Sequence, residues 1–132
     1  ENYVAYCFTS IQGYSKIGTY KGNGNADGPF IYTGFKPAWV MTKNTDNSFG
    51  SNNMWIVYDN KRLGINPIRH GMFADQTVTE SANDFIYTDF LSNGFKHRAN
   101  EYANNYDGDT FIYMAFAEHP FVSSEGVPTT AR

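Results

Sequence analysis

One cysteine, five prolines and a charged fraction of only 17% leave this 132-residue chain without several common ways of holding or using a fold. A lone Cys7 excludes an internal disulfide. Within the alternating run at residues 2–9 it reads as a small core residue rather than a reactive thiol. Ten Lys and Arg against thirteen Asp and Glu give a net charge of -3, so there is no basic field to attract a phosphate backbone, and nucleic acid is not an expected partner. No run approaches the roughly eighteen apolar residues of a membrane helix, and no charged start leads into an apolar signal core, so no membrane insertion is expected.

Catalytic patterns are missing too. His70, His97 and His119 share no ligand spacing with one another or with Cys7, which argues against zinc or iron. No serine lies in a Gly-x-Ser-x-Gly elbow. Glu80, Glu101, Glu118 and Glu125 stand apart from the partner carboxylates that a glycosidase requires. A site needs convergent groups that perturb one another, so the expectation is no enzyme, no metal and no cofactor.

What the chain does have is aromatic residues, 17% of the total, which suit pleated surfaces better than helices. The length fits a single domain with one core over residues 1–132. Residues 2–9 place Val4, Tyr6 and Phe8 on one face and Tyr3, Ala5 and Cys7 on the other, which predicts a central strand covered on both sides. Residues 111–118 repeat that grammar: Tyr3, Val4, Cys7 and Phe8 match Phe111, Ile112, Ala115 and Phe116 in size and order. In a tandem array the two would be the closing strands of successive units; chance similarity of two buried strands is the alternative. The chain opens at Glu1 inside a strand-like run, which reads as a processed product or a piece of a longer protein.

Further strands are predicted at residues 15–20, 30–35, 37–43, 54–58, 68–73, 85–92 and 95–98, with Trp39 and Met41 opposite Val40 and with Trp39 buried. Residues 61–83 otherwise read as loop. Asn93-Gly94 predicts a two-residue type I′ hairpin, pairing Phe90 with His97 and Asp89 with Arg98 and turning Ile86, Phe90 and Phe95 to the core. Short strands, no convincing helix and loops rich in Gly and Asn predict an all-β, antiparallel two-sheet β-sandwich, jelly-roll or concanavalin A-like, with a barrel as the alternative.

The block at residues 13–41, GYSKIGTYKGNGNADGPFIYTGFKPAWVM, resembles a domain that recurs in phage tail and tail-fibre proteins. WIVYDNKR at residues 55–62, DFLSNGFKHR at 89–98 and FIYMAFAEHPF at 111–121 look like further signatures of it, while residues 64–83 match no pattern. The resemblance implies a virion location, extracellular after release, in the C-terminal part of a longer protein, with a concanavalin-like sandwich as the fold. It brings no catalytic residues, and fold alone does not set function.

Two binding sites are weighed on the residues themselves. Asn23, Asn25 and Asp27 before Gly28 alternate oxygen ligands like the start of a calcium loop, but the twelfth position, which needs a carboxylate, falls on Gly34; a plain turn is the competing reading. Asp107 and Asp109 around Gly108 make a weaker version of the same pattern. Trp55, Tyr58, Asp59, Asn60 and Arg62 put rings beside hydrogen-bonding groups at a strand end, as a sugar shelf would, although both rings could instead fill cores. The expected function is therefore a phage tail or tail-fibre domain, homo-oligomeric with a trimer favoured, that displays loops to host-surface glycans or to other virion subunits. A cellular carbohydrate-binding module without catalytic activity is the alternative.

Overall fold

The computed structural model describes residues 1–46, 48, 53–62, 66–82 and 86–127. Among the described residues nine strands run in chain order: β1 Ser15–Lys21, β2 Phe30–Tyr32, β3 Pro37–Asn44, β4 Trp55–Asp59, β5 His70–Phe73, β6 Ser81–Ala82, β7 Thr88–Leu91, β8 Gly94–His97 and β9 Thr110–Ala117. One helical turn, α1 at Tyr102–Asn105, precedes β9. The strands form a six-stranded sheet in the order β1-β9-β3-β4-β5-β6 and a three-stranded sheet in the order β2-β8-β7. Every pairing is antiparallel, so the molecule is an all-β two-sheet sandwich.

Period-two alternation explains which side chains fill the space between the sheets. Tyr20, Val40, Ile56, Tyr58, Phe111, Tyr113 and Ala115 come from the large sheet, and Ile31, Phe90 and Phe95 face them from the small one. Ring contacts organise the centre: Tyr20 stacks on Phe111 at 5.0 Å, and Phe95 meets Tyr113 edge-on at 5.5 Å. Ile86, Phe90 and Phe95 are buried as the alternation predicts. Most of the other expected strands lie within a few residues of their predicted limits; Phe85 is outside the described residues.

Three sequence expectations need correction. Residues 2–9 do not form a central strand: no ladder includes them, and Tyr3 and Tyr6 are 85% and 82% exposed. Cys7 is accordingly exposed rather than part of a core. The interior place between β1 and β3 in the large sheet belongs to β9, which pairs with both and leaves no room there for a second strand of the same grammar. Trp39 is only half-buried, because it lies on the outer face of the large sheet, where its ring packs 5.6 Å from that of Phe116.

The third correction is register. The hairpin exists, but Leu91 pairs with Gly94 and Phe90 with Phe95, so its loop is Ser92-Asn93, one residue earlier than expected. Gly94 is held in β8 by close approach of β2, since a Cβ there would lie 2.2 Å from the carbonyl oxygen of Ile31. Neither Ser92 nor Asn93 has a positive φ, and the Asn93 carbonyl accepts the N–H groups of Thr33 and Gly34. Asp89 still reaches Arg98, now diagonally across the pair, at 3.5 Å. Gly94→Ala must push β2 away, and it is expected to cost about 1–3 kcal/mol, as overpacking does, read as a lower urea midpoint at unchanged slope.

Candidate functional site

Two regions gather chemistry. The first is a polar cluster inside the sandwich. Thr42 comes from β3, Tyr58 from β4, Thr88 from β7 and His97 from β8, each placed inward by strand alternation, and α1 adds Asn104. The Thr88 hydroxyl lies 3.0 Å from His97 Nδ1, Asn104 Nδ2 donates to the Tyr58 hydroxyl at 3.0 Å, and the Tyr20 hydroxyl donates to the Asn104 carbonyl at 2.8 Å. Burial drives the His97 imidazole down to about 3 and the Tyr58 phenol up to about 12, and it raises Tyr20 well above its ordinary value. Shifted titration is a mark of many functional sites. Here, however, Thr42, Tyr58, Thr88, His97 and Asn104 are 0% exposed, so no substrate can reach them. The cluster is a polar clamp between the sheets.

Sequence reading missed this clamp because Thr42, Thr88 and His97 look like solvent-facing strand positions. The usable signal was phase: His97 lies two residues beyond the core-facing Phe95, hence on the same face.

The second region is the outer face of the large sheet. Cross-strand register lines up Ile17, Met114, Met41, Val57 and Met72 in one row and Thr19, Ile112, Lys43 and Trp55 in the next. Tyr6 and Phe8 lie against the same face, and with Ile17, Met41, Trp55, Ile112 and Met114 they border a groove of about 420 Å³. The Lys43 ammonium sits 5.1 Å from the Trp55 ring centroid. The doubled alternation of β9, apolar at Phe111, Tyr113 and Ala115 and again at Ile112, Met114 and Phe116, was its signature in the sequence.

The expected sugar shelf is not assembled. Trp55 points to this outer face, whereas Tyr58, three residues on, is fully buried in the clamp. Asp59 Oδ2 accepts from Arg62 Nε at 2.6 Å, and Arg62 also pairs with Glu80 and approaches Met72 Sδ at 3.1 Å. Asn60 Nδ2 donates to Glu118 Oε1 at 2.9 Å; the same carboxylate binds Lys36 at 2.8 Å, which holds its titration below the ordinary range. Asp59, Asn60 and Arg62 thus tie loops to the sheet, and of the five residues Trp55 alone borders the groove.

The Asn23, Asn25 and Asp27 loop spends its oxygens locally. Asn23 Oδ1 accepts the N–H of Asn25 at 3.1 Å and Asn25 Oδ1 that of Asp27 at 2.8 Å, while Asn105 Nδ2 also donates to Asn23 Oδ1. The Asp27 carboxylate is paired with Lys96 at 2.6 Å, which lowers its titration. Asp109 is likewise engaged, accepting from Asn44 Nδ2 at 2.8 Å and from the Ser48 hydroxyl at 2.6 Å. These are turn and loop clamps, and among the described residues no three His, Cys, Asp or Glu side chains converge as a metal site would require.

No helix of the described residues is long and apolar enough to cross a membrane. No curated protein and no solved structure matches the sequence. A family match covers residues 1–120, all nine described strands together with the segment before them, and by it the chain belongs to the DUF7483 family, a domain of unknown function.

Proposed function

We propose that this sandwich is a structural and recognition domain of a phage virion, in a tail or tail fibre, and that it works by contact without making or breaking a bond. The sequence blocks that resemble phage tail domains support the setting. The apolar outer face of the large sheet carries the mode of action: Met41, Met114, Ile112 and Trp55 offer adaptable, desolvatable surface of the kind enriched at protein contacts. A sugar platform needs polar groups around its ring. Trp55 instead borders Met41, Ile112 and Met114 along the groove, and its ring already holds the Lys43 ammonium, which favours other virion subunits over host glycans as the occupant. The jelly-roll or concanavalin-like assignment, the trimeric state and the extracellular location after release belong to this same reading.

Light scattering tests it. The protein is expected to associate as a closed oligomer, a trimer by preference, and Met114→Asp is expected to weaken that association at least tenfold, about 1.4 kcal/mol, with an unchanged circular dichroism spectrum. A strict monomer that binds a sugar on a glycan array through Trp55 would instead support a cellular carbohydrate-binding module, the reading that the half-exposed Trp55 ring favours.

A further inference from the structure

We infer that residues 2–9 are the closing strand of a second unit of this fold, placed immediately upstream in the same polypeptide, and that they enter its large sheet where Thr110–Ala117 lies in this one. The equivalence runs without a gap. Setting Asn2 on Thr110 brings Tyr3, Ala5 and Cys7 onto Phe111, Tyr113 and Ala115, the three buried positions of β9. Val4, Tyr6 and Phe8 then fall on Ile112, Met114 and Phe116, the outer face. A segment apolar on both faces suits a central strand with both sides covered, and it has no face suited to water.

In this unit the segment finds no such place. It joins no ladder, and Tyr3, Val4 and Tyr6 are among the most exposed large side chains of the molecule. Its slot is taken, because β9 is hydrogen-bonded on one side to β1 and on the other to β3. The same objection applies to any second copy that holds its own β9. A unit whose other strands end just before the segment would hold that slot open, so the partner inferred is the unit upstream. The connection is short and ordered: Ile11 bridges Ser15, and the Ser10 hydroxyl accepts the Ile17 N–H at 3.1 Å, so the turn into β1 begins as soon as the segment ends.

The test extends the full chain by a second copy of residues 10–109 joined directly to Asn2, so that the upstream unit has only residues 2–9 to close it. Hydrogen exchange followed by mass spectrometry is expected to show residues 3–8 exchanging at least a hundredfold more slowly than in the 132-residue chain, with both units melting cooperatively. Free exchange of residues 3–8, or an upstream unit that stays unfolded, overturns the inference. So does closure only by a control bearing Tyr3→Phe, Ala5→Tyr and Cys7→Ala, which gives the segment the inward face of β9. Protection of residues 3–8 already present in the 132-residue chain would place the segment on the chain's own β1 edge, and it would overturn the inference equally.

Discussion

Between about pH 7.5 and about pH 5 the folded chain is expected to lose about 2 kcal/mol of stability through His97 alone. The imidazole is enclosed by Tyr20, Tyr58 and Phe95, with ring centroids at 5.2, 6.1 and 5.5 Å, and its Nδ1 faces the Thr88 hydroxyl. Burial lowers its folded value from 6.5 to about 3. The unfolded chain therefore takes up a proton below about pH 6.5 that the folded chain refuses until about pH 3. Stability from this group is complete above the unfolded value and is lost as pH falls, at up to about 1.4 kcal/mol per unit. Glu118 and Asp27, whose carboxylates are held low by Lys36 and Lys96, push in the same direction only at lower pH. Urea melts across the window measure the slope. In His97→Phe the slope should largely vanish, whichever way stability at neutral pH moves, and a variant that kept it would assign the proton to another group.

Phe111→Ala is expected to cost about 3–5 kcal/mol, the usual result of emptying a large aromatic site in a packed core. Phe111 is fully buried, stacks on Tyr20 and sits in the strand that joins β1 to β3. Its counterpart by grammar, Tyr3, is exposed, and Tyr3→Ala should stay within about 0.5 kcal/mol of the parent in the single unit. The pair of melts separates the two positions that look alike in the sequence. A costly Tyr3→Ala would mean that residues 2–9 pack into this sandwich after all.

How far the fold was readable depends on the residue in question. Phe90, Ile86 and Phe95 declared their inward faces by alternation, because a strand with one wet side must sort its side chains. The hairpin was readable as a hairpin but not in register: Asn93-Gly94 scores as a turn on φ preference, whereas Gly94 is needed as a strand residue against Ile31. Trp55 and Tyr58 lie three residues apart in one short strand, which already places them on opposite faces, and that constraint is what favoured the competing reading of rings in cores over a shared sugar shelf.

The amino-acid order alone determined an all-β chain, most of its strands and the doubled apolar grammar of residues 2–9 and 111–118, since these follow from local alternation and turn chemistry. Only the tertiary structure decided which of those two segments takes the interior place between β1 and β3, that His97 and Thr88 meet inside the clamp, and that Arg62 binds Asp59 and Glu80 rather than standing free. The physical reason is that strand partners are contacts between residues distant in sequence. A segment carries the pattern for being covered, but not the identity of what covers it.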